Sequence, residues 1–167
     1  MSAIQTTISE SQSITVSKPG EYEYFLTKPG VEFTLSGSFH ATGSERINIR
    51  ITIHHQAPHT LAKTKLHGVV ADSAFISFWG KIKIDPDCPD TNSFLTERIL
   101  LLSPQAKAEA VPELEILTDD VKCSHAASIS SIPESQLFYL MSRGVSRKEA
   151  EKLIVEGFLG VESSNQI

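Results

Sequence analysis

From about residue 13 to residue 130 the chain alternates apolar and polar positions with a period of two. Tyr22, Tyr24 and Leu26 alternate with Glu21, Glu23 and Phe25; Val31, Phe33, Leu35 and Phe39 alternate with Glu32, Thr34, Ser36 and Ser38. Ile47, Ile49, Ile51 and Ile53 alternate with Arg46, Asn48, Arg50 and Thr52, and Ile76, Phe78, Ile82 and Ile84 with Ser77, Lys81 and Lys83. Successive side chains of a strand point to opposite faces, so each run predicts a strand with one buried face. The breaks carry turn chemistry: Lys18-Pro19-Gly20, Lys28-Pro29-Gly30, Thr42-Gly43-Ser44 and Asp85-Pro86-Asp87. No helical stretch of roughly 10–15 residues separates the strands, which argues against a βαβ sheet. The period alone leaves a sandwich, a barrel and a β-helix open.

Residues 1–12 are rich in Ser, Thr and Gln and predict a loose tail. After residue 130 the period changes. Ser131-Ile132-Pro133-Glu134 has the form of a capping box, and Leu137, Phe138, Leu140 and Met141 follow at helical spacing up to Gly144. Ser146-Arg147-Lys148-Glu149 is a second box, followed by the stripe Ala150, Leu153, Ile154 and Phe158 and by Gly160. The chain therefore divides into a tail (1–12), a β core (13–130), a helical pair (131–160) and a polar tail (161–167). The helical stripes predict packing onto the core or an additional partner surface.

Composition narrows the function classes. Fifteen Lys and Arg against twenty Asp and Glu give a net charge of −5, which does not suit a broad nucleic-acid surface. No apolar run approaches the roughly 18 residues of a membrane-spanning helix, and the polar N-terminus lacks the features of a secretory signal. The two cysteines, Cys88 and Cys123, form no CxxC pair. A cytoplasmic protein with reduced thiols is the expectation.

Two groups of residues could carry chemistry. His54, His55 and His59, with His67 further on, could ligate a metal, although Pro58 disturbs the strand geometry that would align His55 with His59. No GxSxG, GxxxxGK[ST] or GxGxxG motif is present. The segment Asp119-Asp120-Val121-Lys122-Cys123-Ser124-His125 is more informative. On a strand, Cys123 and His125 share a face with Cα atoms roughly 6.6 Å apart. A thiol and an imidazole suit iron or zinc. Two ligands are too few for a permanent site and suit a transient one, or one completed by another chain. The alternative is that Cys123 is a small buried hydrophobe.

Several segments in fixed order resemble one known family. Leu100-Leu101-Leu102-Ser103, Ala106-Lys107-Ala108-Glu109 and Pro112-Glu113-Leu114-Glu115-Ile116 precede the Asp119–His125 motif. Gln136-Leu137-Phe138-Tyr139, Ser142-Arg143-Gly144 and Glu149-Ala150 follow it. The sequence is similar to the C-terminal part of the SufB/SufD family of iron–sulfur cluster assembly proteins, and more to SufD than to SufB. The match is dense from about Asn92 to Phe158 and looser from Ile51 to Ile84, where Gly68-Val69-Val70 and Phe78-Trp79-Gly80-Lys81-Ile82 carry it.

The resemblance implies a mainly β fold, a right-handed β-helix-like core closed by two short α-helices. It implies a non-enzymatic assembly subunit whose helical pair, through Phe138, Tyr139, Arg143, Gly144 and Glu149, docks a SufC-like ABC ATPase. It also implies pairing with a SufB/SufD-type chain or with a second copy, and no permanent cofactor beyond a transient iron–sulfur cluster. His125 occupies the place of the SufD histidine that takes part in cluster assembly, and Cys123 matches the motif cysteine. Family members are usually longer and carry an N-terminal helical region not seen here, which would leave the first coil exposed. Ala126 stands where the family often has Gly, and the scaffold cysteines of SufB have no evident counterparts. The competing readings are a stand-alone metal or cluster carrier using His54, His55, His59 and Cys123, and a self-assembling β-helix without a metal role.

Overall fold

The computed structural model describes residues 3–160. Ten strands and two helices follow one another: β1 (Ile4–Ile8), β2 (Gln12–Val16), β3 (Gly20–Leu26), β4 (Glu32–Ala41), β5 (Arg46–His55), β6 (Leu61–Val70), β7 (Phe75–Ile84), β8 (Thr91–Leu101), β9 (Lys107–Ile116), β10 (Val121–Ser131), α1 (Glu134–Ser142) and α2 (Arg147–Leu159). Odd strands pair with odd strands in the order β1-β3-β5-β7-β9, and even strands form a second sheet, β10-β8-β6-β4-β2. All pairings are parallel. A chain that alternates between two parallel sheets at each turn is a β-solenoid, as the family resemblance implies.

The alternating pattern explains the winding. Inward residues stack rung upon rung, so each coil buries its apolar face against the neighbouring coils and the opposite sheet. One column reads Thr6, Tyr24, Ile53, Ile82, Leu114, and a second reads Ile14, Leu35, Thr64, Leu95, His125. The largest wholly buried side chains, including Phe33, Leu35, Ile51, Leu66, Ile76 and Phe78, fill the interior. The outer face of the odd sheet is charged: Lys81 Nζ lies 2.8 Å from Glu113 Oε1 and 2.6 Å from Glu115 Oε2.

Two expectations are corrected. Residues 1–12 are not wholly a tail: Ile4–Ile8 is strand β1, hydrogen-bonded along β3, and β2 begins at Gln12. Their Ser, Thr and Gln content hides the strands because only a few inward positions need be apolar in an edge coil. The first capping box does not form either. Ser131 ends β10, and α1 starts after Pro133, whose side chain has no hydroxyl to cap it. The second box is present, with the Ser146 hydroxyl accepting from Glu149 N–H and Gly160 at φ 69° closing α2. The expected tail 161–167 lies outside the described residues.

The helical pair turns back onto the even sheet. The Phe158 ring meets His67 edge-on at 5.3 Å, and the Arg98 guanidinium lies 5.4 Å from its centre. Leu137 and Ala150 are buried, whereas Phe138, Tyr139, Met141 and Leu153 are exposed. The stripes divide accordingly: Leu137 and Ala150 are buried, Phe158 packs on the even sheet, and Phe138, Met141 and Leu153 are exposed.

Candidate functional site

The interior changes character in its last rungs. In the even sheet, the column Gln12, Phe33, Ala62 continues to Ser93 and Cys123, and the column Val16, Gly37, Leu66 continues to Glu97 and Ala127. The apolar column beside them ends in His125. Burial makes an isolated polar group costly, so Ser93, Glu97 and His125 must find partners across the rungs.

Glu97 and His125 find each other. His125 Nε2 lies 2.9 Å from Glu97 Oε2, with side-chain exposures of 5% and 0%. The pair is diagonal: His125 stands beside Leu95 in the ladder, and Glu97 is two residues further along β8. Gly80 of β7 faces them from the opposite sheet. A Cβ there would lie 2.6 Å from Glu97 Oε1, 3.3 Å from His125 Cε1 and 2.3 Å from Leu95 Cδ2. The bare glycine backbone is what lets a carboxylate and an imidazole fit inside the solenoid. Two atoms of the pair, Glu97 Oε1 and His125 Nδ1, are buried and have no hydrogen-bond partner among the described residues.

Cys123 and His125 do share one face of β10, as the spacing predicts, and that face is the inward one. Cys123 is partly buried against Ile82, Ile84, Cys88 and Leu95. Burial pushes its thiol above the ordinary cysteine range, opposed in part by a backbone hydrogen bond from Ser93. Both cysteines are free thiols. Among the described residues no group of three or more His, Cys, Asp and Glu side chains is placed to hold a metal. An imidazole nitrogen and a thiol sulfur are donor types that suit a borderline metal.

The other histidines do not converge. His55 points inward and is wholly buried, His54 points outward and His59 sits in a turn at φ 58°. His54 Nε2 lies 2.8 Å from Asp85 Oδ1, an ion-pair distance without hydrogen-bond alignment. His59 Nδ1 lies 3.1 Å from Asp90 Oδ2 at the surface. The predicted docking residues also separate. Phe138 and Tyr139 are 73% and 58% exposed on α1, and the Arg143 guanidinium lies 5.3 Å from the Tyr139 ring. Gly144, at φ 89°, ends α1. Glu149 is engaged locally: its carboxylate accepts from the Ser146 hydroxyl at 2.6 Å, and those bonds hold it below the usual carboxylate range.

Sequence reasoning did not single out Glu97 or Gly80. The signal was there in the phase of β8: Leu95 and Ile99 face inward, so Glu97, midway between them, must too.

Comparison with known proteins gives one consistent result. A family model described as SUF system FeS cluster assembly, SufBD core domain, matches residues 5–158. The iron–sulfur cluster assembly protein SufD of Bacillus subtilis is 45% identical over 93 residues, covering 56% of this chain and 21% of that protein. An iron–sulfur cluster assembly SufBD family protein of Mycobacterium leprae is 34% identical over 140 residues, 79% of this chain and 36% of the relative. SufD of Escherichia coli is 37% identical over 90 residues, 54% of this chain and 21% of that protein. The chain thus spans between about a fifth and about a third of the length of these relatives.

Proposed function

The chain belongs to the SufBD core family, and from that membership and the buried histidine of β10 we propose that it is a non-enzymatic, SufD-like subunit for iron–sulfur cluster assembly. The carrying observation is His125, on the inward face of a sheet-edge strand, with Nδ1 unused. The nascent cluster is the cargo. His125 and Cys123 contribute ligands, and a SufB/SufD-type chain or a second copy, seated on the last coil, contributes the rest. A SufC-like ABC ATPase docks on the helical pair, and its ATP-driven rearrangement reshapes the last coil. Free thiols fit a cytoplasmic site of action. Among the described residues no helix is long and apolar enough to cross a membrane.

His54, His55 and His59, three of the four ligands of the carrier reading, face different directions, which favours the assembly reading. The test of the assembly reading is reconstitution with the ATPase and the partner subunit. His125→Gln combined with Cys123→Ser is expected to cut the rate of cluster formation sharply. An unchanged rate returns both residues to ordinary packing.

A further inference from the structure

We propose that Glu97 is the positioning residue of this site: it holds His125 as the Nε2–H tautomer, so that Nδ1 is the atom offered to the metal of an incoming cluster, and Gly80 provides the space for the pair. This rests on the reading of His125 given above. In this assignment the Glu97 carboxylate is the acceptor and Nε2–H of His125 the donor across the 2.9 Å contact. A neutral ring protonated at Nε2 carries its lone pair on Nδ1, the atom with no partner.

The solenoid itself has no need of this arrangement. The ladder neighbours of Glu97 in its column are Leu66 and Ala127, and an apolar side chain would continue that column. A wholly buried carboxylate costs desolvation that one histidine contact offsets only in part, and its Oε1 has no partner. Gly80 adds a second departure: any other residue there would place its Cβ 2.6 Å from Glu97 Oε1. An unpartnered ring nitrogen beside a carboxylate-held one is the arrangement by which metal-ligating histidines are commonly oriented.

Histidine-selective 15N NMR of the full chain at neutral pH, without metal, reads the tautomer directly. His125 is expected to show a protonated Nε2 and an unprotonated Nδ1. Glu97→Met replaces a buried ion with an apolar side chain of similar size, which keeps the fold, and is expected to release the ring to a mixture of tautomers. Glu97→Gln, whose amide oxygen can still accept from Nε2–H, is expected to restore the wild-type pattern. In the reconstituted mixture, Glu97→Met should slow cluster formation about tenfold to a hundredfold, with Glu97→Gln closer to wild type. An Nδ1–H tautomer in the wild type, or an unchanged tautomer in Glu97→Met, overturns the positioning role whatever the assembly rate. A shifted tautomer with full assembly in Glu97→Met, where His125→Gln is inactive, overturns the choice of Nδ1. Full assembly with His125→Gln instead overturns the reading of the site on which this inference rests.

Discussion

His55 Nε2 lies 3.0 Å from Ser93 Oγ, and this bond ties the two sheets together across the core. On the other side of the ring, Nδ1 is 2.7 Å from Thr60 Oγ1. The Thr60 hydroxyl donates to Ala57 O at 3.2 Å, so Thr60 accepts from Nδ1–H and Nε2 accepts from the Ser93 hydroxyl. A neutral histidine is therefore fully partnered between Leu26 and Ile84 of its column, next to the rung that leads to Cys123.

That pairing predicts acid sensitivity. Burial first, and the neighbouring His54 second, push His55 from 6.5 down to about 4. The unfolded chain binds a proton near the ordinary value and the folded chain only near the lowered one, so between them unfolding takes up protons. Stability is full above the upper value and falls as pH drops through the window, by about 3 kcal/mol. Urea unfolding at pH 7 and pH 4.5 measures this directly. His55→Gln, which can keep both hydrogen bonds, should lose less stability on acidification than the wild type. An equal loss in both proteins removes His55 as the cause.

His125 makes a different demand on the fold. Removing it leaves Glu97 buried without its partner, so His125→Ala should destabilise by about 3 kcal/mol, the scale for breaking a buried pair. Adding Glu97→Met to it should recover most of that loss. Thermal melts of the two single variants and the double variant form the cycle, and simple additivity would mean that the two side chains are not energetically coupled.

How much of this was legible in the sequence follows from the ladder. Ile47 to Ile53 and Ile76 to Ile84 alternate strictly because each inward position stacks on an apolar one in the next coil. The strands Ile4–Ile8 and Gln12–Val16 were opaque because each carries few apolar residues and borrows its core from β3 and β4. The winding into a solenoid came from the resemblance, since a period of two has no information about which strand pairs with which. Cys123 and His125 were legible from their spacing. Glu97 was hidden because β8 reads Thr91, Ser93, Leu95, Glu97 and Ile99 on its inward face while Phe94 faces out, which blurs the apolar pattern.

Gly80 is predicted to tolerate no side chain. Gly80→Ala would bring a methyl group within 2.6 Å of Glu97 Oε1 and 2.3 Å of Leu95 Cδ2. Both side chains are buried and must shift, so overpacking should cost about 1–3 kcal/mol. Gly157→Ala is the control, because nothing lies within 4 Å of a Cβ there. A Gly80→Ala protein that unfolds at the wild-type urea midpoint would mean that the last rungs repack easily.

The helical pair predicts a separable docking defect. Phe138 and Tyr139 are exposed, so Phe138→Ala and Tyr139→Ala should change stability by less than about 0.5 kcal/mol. Buried under an ATPase partner, each becomes an aromatic anchor worth about 2 kcal/mol or more, roughly a thirtyfold loss of affinity. Glu149→Gln should leave affinity close to wild type, because that carboxylate caps α2. Titration calorimetry with the SufC-like ATPase decides the matter, and full affinity in the Phe138→Ala, Tyr139→Ala double variant means that docking lies elsewhere.

The last coil predicts association. Among the described residues β9 and β10 are edge strands of their sheets, each with one side unpaired, and their Leu114, Ile116 and Ile129 are exposed although the ladder neighbours Ile82, Ile84 and Ile99 are buried. An open parallel edge with apolar residues beside it is a surface that proteins rarely leave bare. A second copy can cover it by an isologous contact, the commonest symmetry of small oligomers. Light scattering over a rising concentration series should show mass above 18.3 kDa. Leu114→Lys with Ile129→Lys should return it to the single-chain mass with an unchanged circular dichroism spectrum. A wild-type chain that stays at 18.3 kDa throughout excludes the homodimer. The same two lysines must then weaken co-purification with a SufB/SufD-type chain, and if they do not, the last coil is not the interface.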